Sequence, residues 1–408
     1  MLCRREGLEP VGVAVSDRLA VRLAPASPSI GVARDDSSNT ASREVAPTGG
    51  LLASARRRGR REPWRDWAIL SALLHVQLIA VAVSGLTGGW MLVVALPVGL
   101  TLATATLTVL HDAGHRRFAQ RSWPNVLAVQ SAAPVGLWTA HWTLKHRVHH
   151  RVTQLYPLDE ATRSTGLIRL HPAATWRPVH RRQHLYGWAL YSLAWAGELR
   201  SQLTFLRTGA VAGAQTPGPW RRAGSFLAEK ALCATVLLPY AVAMGIVRLG
   251  LLLLVAMTVA SLVAAAVLVV GHINLGIEPP STAPTGQQWL RHQVLTSASF
   301  STDNVAVRWL TGGMTHHLAH HLRPVAARAD LPALHRTVIH DEAARSGTQV
   351  REFATFRSAV RGHYARLREL GKPPEAYSQD AVIGQPLRDL VANRLTGAAV
   401  TPSSAPTR

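Results

Sequence analysis

A chain of 408 residues that is 48% hydrophobic yet carries a formal charge of +21 separates its apolar and cationic residues along the sequence, as an integral membrane protein with one basic face does. No nucleic-acid-binding motif accompanies the charge, and the long apolar runs argue against nucleic acid as a partner. With only Cys3 and Cys233 present, a disulfide framework and a thiolate metal site are both excluded, so any metal must be held by His, Asp, Glu or Asn.

In chain order, residues 1–60 mix Ser, Pro, Gly and Arg without sustained periodicity and are expected to form a disordered basic extension. "MLCRREGLEPVG" lacks a continuous apolar core, so no secretory signal is expected. The block "RRRGRREPWRDW" then sets arginines and two tryptophans directly before an apolar run, the pattern of a cytoplasmic membrane edge, with a solvated linker as the plainer reading. Four apolar runs follow as candidate spans, at 68–86, 90–110, 231–247 and 251–270, each near the length a bilayer requires. Pro97 and Pro239 fall inside two of them and are tolerable in membrane helices. The turns Thr87-Gly88-Gly89 and Arg248-Leu249-Gly250 fold the spans into two hairpins. Most remaining Arg and His lie in 111–230 and 271–408, which places both termini and both large loops in the cytoplasm. Segments 126–140 and 186–206 are short or amphipathic and are expected to be interfacial. Segment 326–372 predicts amphipathic helices capping that face, with His335, His340 and His363 as surface residues, and 373–408 a flexible tail. The expected architecture is all-α and integral to the membrane: four transmembrane helices in two hairpins under a cytoplasmic helical cap.

That topology gathers the histidines. "HDAGH" (His111, His115) ends the second span, with both rings on one helical face. "HRVHH" (His146, His149, His150) follows in the first large loop, and "GHIN" (His272, Asn274) ends the fourth span. "GGMTHHLAHHLRP" then repeats the same spacing with His317, His320 and His321, so that each triplet can aim three rings at one point. Alone, each piece has a structural reading, as a histidine on an amphipathic helix or at a helix end. Together they put nine imidazoles on one membrane face. A zinc hydrolase would need fewer ligands and the glutamate that "HDAGH" lacks. Haem is a rival, though axial histidines would sit deeper in facing spans. Nine imidazoles suit two octahedral iron ions with an open edge for oxygen.

On these segments the chain resembles the membrane fatty acid desaturase and hydroxylase family. The resemblance also rests on Trp142 before the second box, Thr153, Asp159 and Glu160 after it, and "HQVLTSASFS" before the third, and covers roughly residues 65 to 370. It implies that His111, His115, His146, His149, His150, His272, His317, His320 and His321 are the di-iron ligands. Asn274 would act more remotely, through water. Asp112 would orient a ligand imidazole, as would Asp159. His316 falls where relatives carry no ligand. Gln154 stands where many relatives have Asn, and Arg323 replaces an aromatic or apolar residue. His317 replaces the Gln of front-end members and leans the reading toward other branches, although the middle of that box otherwise looks front-end-like. The implied activity is O2-dependent insertion of a cis double bond into an acyl chain carried on lipid, coenzyme A or acyl-carrier protein. A membrane di-iron hydroxylase is the alternative, and a non-enzymatic membrane metal-binding protein the remote one, since transporters place ionisable ligands near mid-bilayer. No cytochrome b5 module of the HPGG type is recognisable, so electrons are expected from a separate carrier, ferredoxin or similar, with its reductase. The arginine-rich loops set topology, and they also suit anionic carriers.

Overall fold

The computed structural model describes residues 49–374 apart from 213, 285–287, 302–303, 340–343 and 345–347. Of the extension expected over 1–60, residues 1–48 lie outside the described residues, and residues 49–60 are corrected to helix, the first turns of a long helix that continues into the first span. Of the tail expected over 373–408, residues from 375 lie outside the described residues, as does His340. Helix α1 (Gly49–Ser84) is followed by α2 (Trp90–Ala105), which runs through a π-helical turn, Thr106–Leu110, into the short α3 (His111–Gly114). Next come α4 (Ser122–Ala132), α5 (Thr139–Arg151), α6 (Gln183–Ser192), α7 (Ala194–Thr208), α8 (Pro219–Met244) and α9 (Ile246–His272). The chain continues through α10 (Gln288–Thr296), β1 (Ala298–Phe300), α11 (Val305–Leu310), α12 (His317–Leu322), α13 (Leu331–Leu334), β2 (Arg351–Phe353) and α14 (Phe356–Leu370).

Among the described residues, four helical stretches are long and apolar enough to cross a membrane: Arg61–Ser84, Trp90–Gly114, Pro219–Met244 and Ile246–His272. They overlap the four expected spans. The first and third begin earlier and end two to three residues sooner, and the second and fourth run on to 114 and 272, because helical hydrogen bonding continues into flanking polar and charged residues that hydropathy leaves out. One expected turn is corrected. Spans three and four turn at Gly245, at φ 83°, a conformation that glycine adopts without Cβ strain, and not at 248–250. Arg248 sits inside α9, where its guanidinium donates to the carbonyl of Val81 at 2.9 Å near the end of α1.

Leu70, Leu74 and Leu78, one helical stripe of α1, pack with Ala95, Val98 and Leu102 of α2 and Leu252 and Ala256 of α9. The opposite face of α1 leaves Val76 63% and Val83 80% exposed, as a lipid-facing surface requires. The short strands β1 and β2 pair in parallel, with Ser299 opposite Glu352, and add a small sheet to the expected all-helical architecture. They tie the segment before the third histidine box to α14. Helix α14 opens with a cap in which Thr355 Oγ1 accepts from the Ser358 amide at 3.0 Å. It buries Ala359, Gly362, His363, Leu367 and Leu370 on one face. The surface reading of His363 is therefore overturned: it falls on that face, and both ring nitrogens have partners. Its Nδ1–H donates to the Ile273 carbonyl at 2.6 Å, and Tyr191 OH donates to its Nε2 at 3.0 Å. His335 is buried as well, paired with Glu352 and set edge-on to His316.

Candidate metal centre

The nine histidines come together as two groups. His111, His115, His146, His150 and His320 form one; His149, His272, His317 and His321 form the other, and within each group the donor atoms lie within 4.8 Å of one another. The expectation that each triplet aims at one point is corrected by helix phase. At roughly 100° per residue, positions i and i+4 differ by about 40° and position i+3 falls to the other side. Helix α5 accordingly sends His146 and His150 one way and His149 the other, while α12 sends His317 and His321 one way and His320 the other. The two helices make opposite divisions, two plus one and one plus two. His111 and His115 complete the group of five, and His272 the group of four.

Local backbone choices aim these rings. The π turn Thr106–Leu110 rephases the second span immediately before His111, a feature often found at functional sites. The loop leading to α12 rests on this turn: a Cβ on Gly312, which stands at φ 62°, would meet the Leu107 carbonyl and lie 2.9 Å from Thr108 Oγ1. Trp142 stacks on His146 with ring centroids 4.4 Å apart. Trp138, at the N-cap of α5, makes no side-chain cap, and Glu229 of α8 takes the role from outside the helix. Its carboxylate accepts from the Thr139 amide at 2.7 Å and the Ala140 amide at 3.3 Å.

Hydrogen bonds on the outer nitrogens fix the ring tautomers. His149 Nδ1–H donates to Asp159 Oδ2 at 2.9 Å. His272 Nδ1–H donates to the Thr296 carbonyl at 3.0 Å, and His321 Nδ1–H to Gln293 Oε1 at 2.9 Å. The Gln293 orientation follows from its amide, which donates to the His150 carbonyl at 2.9 Å. A neutral imidazole has one N–H, so the inner Nε2 atoms of these three rings are bare acceptors. Yet His149 Nε2 and His272 Nε2 lie 3.0 Å apart, and His317 Nε2 is 2.6 Å from His272 Nε2. In the other group Nε2 of His146 lies 2.9 Å from that of His115 and 3.1 Å from that of His150, which is 3.1 Å from His320 Nε2. Nε2 of His111 and of His321 is buried without a hydrogen-bond partner. For His149 and His272, whose outer nitrogens are committed, lone pairs facing at 3.0 Å repel unless a cation lies among them, so the donor set fits metal ions.

The rings are also electronically ready. Burial, then neighbouring imidazoles, hold His146, His150, His317, His320 and His321 well below the ordinary histidine range. Burial lowers His115 to about 4 against the opposing pull of Asp112. Each is a neutral donor at pH 7. The unfolded chain takes these protons first, so the rings favour folding above about pH 6.5 and cost stability as pH falls below it. Burial alone would raise Asp159, but His149 and the amides of Gln154 and Ala161 outweigh it and hold its carboxyl low. Replacing Asp159 by asparagine is expected to weaken metal retention or activity roughly 10- to 100-fold without unfolding the chain, read as metal content after dialysis against a chelator.

Other sequence-derived candidates stand farther out. Asp112 bonds Arg117 at 2.8 Å and Arg328 at 2.7 Å, and its hydrogen bonds go to these guanidiniums. Asn274 donates to the carbonyls of Val270 and Ala359, both at 3.0 Å, joining α9 to α14 beside His272. Gln154 takes a left-handed φ of 61° and its side-chain amide reaches the carbonyls of His272 and Thr296. His316 points away, with Nδ1 3.0 Å from Thr315 Oγ1. Sequence reading did not single out Glu229, Arg328 or His363 as supports; Gln293 and Thr296 lay within the "HQVLTSASFS" stretch it had noted.

The family model described as fatty acid desaturase matches residues 88–354. The chain is 26% identical over 298 residues to an sn-1 linoleoyl-lipid 6-desaturase of Arthrospira platensis, covering 70% of this chain and 80% of that one. It is 25% identical to the enzyme of the same description from Synechocystis sp., covering 67% and 78%, and to an acyl-lipid (7-3)-desaturase of Rebecca salina, covering 76% and 71%.

Proposed function

The chain belongs to the fatty acid desaturase family, and from that membership we propose that it is an O2-dependent acyl-lipid desaturase whose two histidine groups each hold one iron ion. The observation that carries the metal reading is the pair of bare acceptors, His149 Nε2 and His272 Nε2, 3.0 Å apart with their outer nitrogens committed elsewhere. All-nitrogen ligation with no thiolate suits iron. The relatives' descriptions as linoleoyl-lipid and acyl-lipid desaturases favour a lipid-borne acyl group over a soluble carrier.

In the proposed topology two hairpins place both termini and the histidines on the cytoplasmic side. His111 and His272 sit at the same ends of spans two and four, and the turns at the opposite ends, 85–89 and Gly245, hold no charged residue. Helices α4, α6 and α7 would then lie at the interface. Bound iron, reduced by an external carrier such as a ferredoxin, would supply the O2 activation and hydrogen abstraction that no side chain can perform. The balance is closed: the acyl chain loses a hydrogen pair to give the cis alkene, the carrier supplies an electron pair, protons come from water, and O2 leaves as water. The chain's own residues keep donor lone pairs inward through Asp159, Gln293 and the Thr296 carbonyl, and bury the centre away from bulk water.

Expression with a ferredoxin and its reductase, followed by mass spectrometry of the lipids, tests the reading. A new acyl species lighter by a hydrogen pair, dependent on bound iron, is expected. A hydroxylated product would overturn the desaturation assignment, and full activity in iron-free protein would overturn the centre.

A further inference from the structure

Outside the histidine site, a cleft of about 410 Å3 opens where the C-terminal end of α14 meets the start of α6, lined by Arg181, His184, Tyr364, Arg368 and Lys372. Arg181, Arg368 and Lys372 are exposed, and none of them forms an ion pair among the described residues. Glu369, the nearest acid in sequence, bonds Arg366 at 3.1 Å. Arg181 lies over the Trp176 ring at 5.5 Å, which holds its guanidinium at the cleft. His184 sets its ring edge-on to Tyr364, and its Nδ1 is buried without a partner.

The surroundings identify the anion. Val179 and Leu185, neighbours in sequence of Arg181 and His184, are 42% and 61% exposed. Farther along, Leu190 belongs with Leu262 and Ala265 of α9 in one apolar cluster, so α6 runs beside a membrane span. Unpaired cations next to exposed aliphatic side chains, on a helix packed against a span, match the level where lipid phosphates meet acyl chains. An acidic soluble protein would answer the cations and leave the aliphatic rim without a role.

We propose that this cleft binds the phosphate headgroup of a bilayer lipid. The stretch of α14 from Arg368 back to His363 spans about 8 Å, and His363 holds the carbonyl next to His272. A lipid anchored here therefore lies beside the histidine site. This deepens the acyl-lipid reading and rests on it for the membrane setting.

The test is phosphatidylglycerol retention by the purified full-length protein in neutral detergent, read by native mass spectrometry without turnover. Substituting Arg181→Gln, Arg368→Gln and Lys372→Gln together is expected to weaken retention roughly a hundredfold, at about a factor of five per cation, while Arg181→Lys with Arg368→Lys keeps most of it. Unchanged retention in the triple variant overturns the proposal. So does displacement of the lipid by glycerol phosphate at equal concentration, which marks a free-phosphate site, or by poly-glutamate, which marks an acidic protein partner. The competition arms use the unsubstituted protein, so they stand even if the triple variant fails to fold. Iron content and product formation are measured separately, so failure of this site and failure of the desaturase reading are distinguishable.

Discussion

If each histidine group holds one iron ion, as proposed, replacing His317 by alanine is expected to lower iron from about two ions per chain to about one and to reduce desaturation below roughly 1% of the starting rate. His317 belongs to the group of four, which has no donor to spare once one is lost. His115→Ala removes a donor from the group of five and leaves four, so its metal loss should be smaller. His316→Ala is the internal control. It is adjacent in sequence and equally buried, but its Nδ1 faces Thr315 and its ring faces His335, so iron and activity should persist despite some loss of stability. Metal analysis of the purified variants beside lipid profiling separates these cases. Equal metal loss in the His317 and His115 variants would refute the division into five and four.

That division shows where sequence reading stopped. The boxes were legible because spacings of three and four put side chains on a common helical face whatever the partner helix is. Which ring joins which group depends on the rotation of α5 against α12, and no residue type reports that rotation. Asp159 was legible through the family resemblance, which sets an acidic pair after the second box, and its carboxylate accepts from His149. Asp112 was read by the same logic, yet its hydrogen bonds go to Arg117 and Arg328, the latter 216 residues away in sequence. The spans were readable as bilayer-length runs, but the turn of the second hairpin was misplaced: the charge of Arg248 suggested a loop, while the arginine reaches along the membrane edge to the end of α1. His363 was taken for a surface residue because an amphipathic pattern does not say which polar group finds a buried partner. Tyr191 and the Ile273 carbonyl supply those partners from other segments.

Replacing Arg328 by methionine is expected to cause the largest loss of stability, about 3–5 kcal/mol, because it strands buried carboxylates and does not merely remove a contact. The Arg328 guanidinium bonds Asp112 at 2.7 Å and also Asp66, and its backbone amide donates to Glu62 at 2.9 Å. Arg117 bridges the same acids, at 2.8 Å to Asp112 and 2.8 Å to Glu62. The side chains of Asp66 and Asp112 are each 2% exposed. Burial opposes the charge on Arg328, but Asp112, Glu62 and Asp66 together raise its pKa above the ordinary arginine range. In the methionine variant Asp66 keeps only Arg65, itself 62% exposed, and Asp112 only Arg117. The network joins α1, the end of the second span and the loop beyond α12, so its loss loosens the frame around His111 and His320 while leaving every histidine in place. Thermal inactivation in detergent should therefore fall by roughly 10 °C, with iron content near normal at low temperature. Arg328→Lys should fall between, since a single ammonium cannot serve both carboxylates as the planar guanidinium does. If the methionine variant inactivated at the original temperature, desolvation of these charges would already cancel their attraction, and the frame would be held by the apolar packing of Leu70, Leu74 and Leu78 against the neighbouring spans.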